Sequence, residues 1–117
     1  DYVDAQSEPT ENQRKRLSVK VTKIPYVVLS EVCKMMNIKD FLNYNDFRGL
    51  AEKIGLGRND AELFDQRSKN PTDEILKEWA RKSYEEATVG KLITLLKAME
   101  RMDAVKELED WVNEESS

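Results

Sequence analysis

Asn70-Pro71-Thr72-Asp73-Glu74-Ile75-Leu76-Lys77-Glu78-Trp79, followed nine residues later by Thr88-Val89-Gly90-Lys91-Leu92-Ile93-Thr94-Leu95-Leu96, reads as the openings of two consecutive helices. Asn70 can accept from the unpaired N–H groups of a first turn, and Pro71 suits the first helical position, where its missing N–H costs nothing. Ile75, Leu76 and Trp79 then share one face, as do Val89, Leu92, Ile93 and Leu96. The spacing predicts helices from Pro71 to about Lys82 and from Val89 to about Met99, each burying a stripe. Trp79 is expected in the core.

Working outward, 117 residues suffice for one domain with one core. Charged residues make up 36% and apolar ones 39%, the balance of a small protein with a heavily charged surface. No apolar run approaches the ~20 residues that span a bilayer, and nothing at the N-terminus has a signal-peptide layout. Cys33 is the single cysteine, which precludes an internal disulfide. Lying in an apolar helical stripe, it reads as a buried structural thiol in a reducing, cytoplasmic setting. The chain has no histidine, which removes imidazole bases, histidine metal sites and Ser-His or Cys-His nucleophiles together. Gly55-Leu56-Gly57 is too short for a phosphate-binding loop, and no carboxylate pair stands out for acid–base work. The expectation is a protein without enzymatic activity, cofactor, metal site or small-molecule substrate.

Residues 1–23 lack a helical period and read as a flexible, mildly basic arm, with Arg14, Lys15, Arg16, Lys20 and Lys23 following four acids. Ser18 to Thr22 within it reads as extended and mobile. A helix opening near Pro25 carries Val28, Leu29, Val32, Cys33 and Met36 inward. In the connection from Asn37 to Asn45, Ile38, Phe41 and Leu42 are expected to pack down. Asp46 or Asn45 caps a helix with the stripe Phe47, Leu50, Ala51 and Ile54, which Gly55 ends. A short helix from about Asn59 to Gln66 buries Ala61 and either Leu63 or Phe64. A last helix from about Asp103 turns Ala104, Val105, Leu108, Trp111 and Val112 inward, and residues 114–117 form an acidic tail. Six short amphipathic helices over residues 24–113 cannot each bury a stripe alone, so an all-α, six-helix antiparallel bundle is expected.

Four segments in this order resemble the death-domain family over about residues 25–113. Asp46-Phe47-Arg48-Gly49-Leu50-Ala51 is similar to the family's second helix, with phenylalanine where tryptophan is usual. Asn70-Pro71-Thr72 with Ile75-Leu76 and Trp79 resembles its fourth. Thr88-Val89-Gly90-Lys91-Leu92 with Leu95-Leu96 resembles its fifth, and Arg101-Met102-Asp103-Ala104-Val105 with Leu108 its sixth. The likeness runs towards the myeloid differentiation adaptor, interleukin-1-receptor-associated kinase, netrin-receptor and ectodysplasin-receptor group. It implies a non-catalytic module that binds other death domains, or itself, in receptor-proximal signalling towards NF-κB, inflammation or apoptosis.

The resemblance places the partner-binding candidates on the second to fourth helices of the bundle: Arg48, Glu52, Arg58, Asp60, Glu62, Asp65, Arg67, Asp73 and Glu74, with Lys69 beside them. Leu92-Ile93-Thr94-Leu95-Leu96 matches the LxxLL docking pattern, but those leucines are needed inside the bundle. The different-class alternative is a nucleic-acid or chromatin-associated domain using the basic arm, although the acidic remainder of the chain opposes it. Arg14-Lys15-Arg16-Leu17-Ser18 also reads as a basophilic-kinase site or a nuclear-localisation patch, against a plain solvated charge run.

Overall fold

In the computed structural model, which describes residues 9–114 apart from the Arg58 side chain, Asn70 and Thr88 act as the sequence predicts. The Asn70 side chain accepts from the Asp73 N–H and Thr88 from the Lys91 N–H, opening helices at Pro71 and Val89. The described residues form α1 (Glu11–Leu17), a 3-10 turn (Val21–Lys23), α2 (Tyr26–Asn37), α3 (Phe47–Lys53), α4 (Arg58–Arg67), α5 (Pro71–Lys82), α6 (Val89–Ala98) and α7 (Met102–Asn113). Among them β-structure is confined to one antiparallel bridge, Lys20 to Thr88. The six expected helices are α2 to α7, with ends within about two residues of those read from the pattern.

The stripes meet in two apolar clusters. The larger gathers Val32 and Met36 of α2, Leu50 of α3, Leu76 and Trp79 of α5, Leu92 and Leu96 of α6, and Val105 and Leu108 of α7. The smaller holds Phe47 and Ala51 of α3, Leu56, Ala61 of α4 and Ile75 of α5. Phe47 is fully buried, so the departure from tryptophan still fills the core. Gly55 takes φ +92°, the left-handed conformation that ends α3 without Cβ strain.

Two expectations fail, each for a local reason. The flexible arm is one: residues 1–8 fall outside the described residues, but residues 11–23 pack onto the bundle as α1 and the 3-10 turn. Thr10 and Gln13 form a reciprocal capping box, a polar start signal that needs no apolar period. Val21 is fully buried, and the stretch read as mobile is held by Val21 N–H to Ala87 O and Val89 N–H to Val19 O, both 2.9 Å. The second concerns Ile38, Phe41 and Leu42, which are 72%, 75% and 89% exposed rather than packed down. In α4, Ala61 and Phe64 face inward while Leu63 is exposed. Of the acidic tail, only Glu114 is described; residues 115–117 lie outside.

Candidate functional site

What holds the α2–α3 loop open is a buried acid. Asp46 caps α3 and is completely buried, with its carboxylate accepting from the Arg48 N–H at 2.9 Å and the Asp40 N–H at 2.7 Å. The Arg48 guanidinium closes on the same group, Nη2 to Oδ2 at 2.5 Å and Nε to Oδ1 at 3.1 Å, and also donates to the Asp40 carbonyl. Burial raises the Asp46 pKa, yet these donors outweigh it and hold the carboxyl below its ordinary range. The hydrogen bond to Asp46 correspondingly raises that of Arg48.

Asp40 then turns the chain locally, its Oδ1 accepting from the Leu42 and Asn43 N–H groups at 3.2 Å. Tyr44 adopts φ +53°, and its carbonyl lies so close to α3 that a Cβ at Gly49 would sit 2.5 Å from it. Asn45 donates to Met99 O, and Arg101 donates to Asn45 O and Met35 O, tying the loop to α6 and α2. With its backbone hydrogen-bonded at Asp40, Leu42, Asn43 and Tyr44, the loop presents Ile38, Phe41 and Leu42 to solvent. Tyr44 lies 4.5 Å, ring centre to guanidinium carbon, from Arg48, and Phe41 5.8 Å.

This loop adjoins the predicted charged surface through Lys39, whose ammonium pairs with Asp65 of α4 at 2.6 Å. Asp60, Glu62 and Arg67 are exposed on α4, with the Arg67 guanidinium 5.8 Å from the Phe64 ring centre. Glu52 is exposed on α3 and lines a cleft of about 410 Å³ with Tyr44, Lys53 and Met99. Asp73 and Glu74 occupy the first turn of α5, where Asp73 pairs with Lys77 at 2.9 Å; Lys69 is exposed just before it. Arg58 begins α4, and its side chain lies outside the described residues. Arg48 departs from the expected pattern: its side chain is only 12% exposed and fixes the loop from within. The exposed apolar trio was missed because apolar residues in a short connection read as core. The usable signal was Asp40 and Asp46 on either side of Phe41 and Leu42, two turn-forming acids with Arg48 in reach.

Cys33 lies 2% exposed between α2 and α5, and burial pushes its thiol up to about 11. It is a packing residue in the thiol form. Among the described residues no group of three or more Cys, Asp or Glu side chains could hold a metal ion, and no helix is long and apolar enough to cross a membrane.

No solved structure matches the chain significantly. A model of the death-domain family, whose members are homotypic protein-interaction modules in signalling, matches residues 31–112. With that match running from within α2 to near the end of α7, the chain belongs to the death-domain family.

Proposed function

We propose that this domain assembles signalling complexes by binding other death domains through the outer face formed by the α2–α3 loop, α4 and the start of α5. The observation that carries the reading is the exposure of Ile38, Phe41 and Leu42 on a hydrogen-bonded loop beside the Lys39–Asp65 pair. Exposed apolar groups on a preordered backbone, rimmed by charge, have the composition of an interface centre and lose little entropy on binding. Asp60, Glu62, Arg67, Asp73 and Glu74 supply the rim, where complementary charge selects partners and like charge rejects them. The pathway reading, receptor-proximal assembly towards NF-κB, inflammation or apoptosis in the cytoplasm, rests on the likeness to the adaptor and receptor group.

The nucleic-acid alternative loses ground on the geometry of the basic segment. Arg16 lies over Trp111 and pairs with Glu114, and Lys20 lies over Tyr84, so two of its cations are engaged within the molecule. A pull-down against a panel of death domains, followed by light scattering, tests the proposal. Capture of a death domain in a complex of defined stoichiometry is expected. Capture of none, together with nucleic-acid binding that falls steeply with salt, would overturn it.

A further inference from the structure

Helix α1 stands apart from the other six. It lies N-terminal to the residues that match the family, and none of its own residues is buried. Its attachment to α7 is polar: Arg16 Nη1 donates to Trp111 O at 2.5 Å and to Glu114, Gln13 donates to Asn113 at 2.9 Å, and Asn12 to Glu114 O at 3.3 Å. With Leu17 the one apolar side chain of the helix packed against the core and the contacts to α7 largely polar, α1 opens locally at lower cost than the helices that bury a full stripe. At the C-terminal end stands Ser18, exposed, its hydroxyl donating to Lys15 O at 2.9 Å and its N–H shared between Arg14 O and Lys15 O. Lys15 and Arg16 precede it by three and two positions and Val19 follows, the pattern that basophilic protein kinases read in an extended substrate.

We propose that Ser18 is a phosphorylation site of a basophilic kinase and that its phosphate unlatches α1 from α6 and α7. The kinase takes the segment when α1 is open. The Ser18 Oγ attacks the γ-phosphorus of ATP, the bond to the β-phosphate oxygen breaks, ADP leaves with that electron pair, and the hydroxyl proton passes to the kinase's base. Reclosing is then opposed in two ways. The ester oxygen can no longer donate to Lys15 O, and ~1.5–2 negative charges sit against the carbonyl end of the helix. Neutralising that charge with Arg16 would draw the guanidinium from Trp111 and Glu114, which loosens the same latch. The modification therefore traps the open state, uncovering the side of α6 at Gly90, against which Leu17 packs, and the Trp111 side of α7.

The test treats the whole chain with the catalytic subunit of a basophilic serine/threonine kinase and magnesium ATP, then maps the phosphate by peptide mass. Hydrogen exchange is compared before and after. Phosphate on Ser18, none there in Ser18→Ala, and exchange in residues 13–17 about tenfold faster with α5 unchanged are expected. Trp111→Ala, which removes the platform under Arg16, should be phosphorylated several-fold faster than the parent because its α1 opens more often. No phosphate on Ser18 in either protein would overturn the proposal. So would a phosphate that leaves exchange in α1 unchanged or slower.

Discussion

Helix α5 and the α2–α3 loop carry similar apolar residues and place them oppositely. In α5, Ile75, Leu76 and Trp79 recur at helical spacing and are between 0% and 4% exposed. In the loop, Ile38, Phe41 and Leu42 follow one another as closely, yet all are more than two-thirds exposed. The difference lies in the backbone. A helix turns residues three and four apart onto one face and leaves the choice of face to burial. The loop's direction is dictated by the Asp46 carboxylate and the Arg48 guanidinium, and its side chains follow wherever that polar centre sends them. Composition sets how much apolar surface a segment carries; hydrogen bonds decide whether the fold or a partner covers it.

The comparison breaks most readily at Trp79. Trp79→Ala removes a buried indole and should cost ~3–5 kcal/mol, much of the stability of a domain this size. Thermal or denaturant unfolding will show it, and a melting point within a few degrees of the parent would place Trp79 outside the core.

Asp46→Ala comes next, because it removes the α3 cap and leaves Arg48 facing a pocket without its counter-charge. A loss of ~2–4 kcal/mol is expected, with faster hydrogen exchange in residues 40–45. The pH dependence follows from the lowered Asp46 pKa. A carboxyl that titrates lower when folded contributes stability that is complete above its unfolded value, near pH ~4, and lost as pH falls through the folded value. Asp46→Asn should therefore flatten the fall in melting temperature with acid relative to the parent. An unchanged acid limb would mean that Asp46 contributes nothing to it.

At the surface the stability effects should be small. Phe41→Ser with Leu42→Ser removes little buried area and is expected to shift stability by no more than ~0.5 kcal/mol. Arg67→Glu should also leave the fold intact, while weakening assembly with a death-domain partner that presents negative charge at the facing position. A reversal of the facing charge on that partner should then restore part of the binding. Parent-like binding by Arg67→Glu would assign that residue to solvated surface.

The helices α5 and α6 were legible because cap and stripe signals coincide, Asn70 with Trp79 and Thr88 with Leu92, and α7 from its stripe alone, Ala104 to Val112. Helix α1 was not, since its capping box is polar and its partners Asn113 and Glu114 lie about a hundred residues away. Of the candidate site, the exposure of Asp60, Glu62 and Arg67 could be read from their place on the polar side of a short helix. The pairing of Asp65 with Lys39 could not, because it depends on how the loop is routed. An apolar loop residue carries no periodic signal for its direction. That direction is set by Asp46, Gly49 and Arg101, on other elements.

On the proposed function, the outward-facing apolar loop belongs to an interface. The direct measurement is the affinity of Phe41→Ser/Leu42→Ser for a captured death-domain partner, by sedimentation, beside the parent chain and at matched thermal stability. A loss of about tenfold or more in affinity, with the melting temperature unchanged, is the predicted result. Parent-like affinity in a folded double variant would contradict the account and move the interface away from the α2–α3 loop.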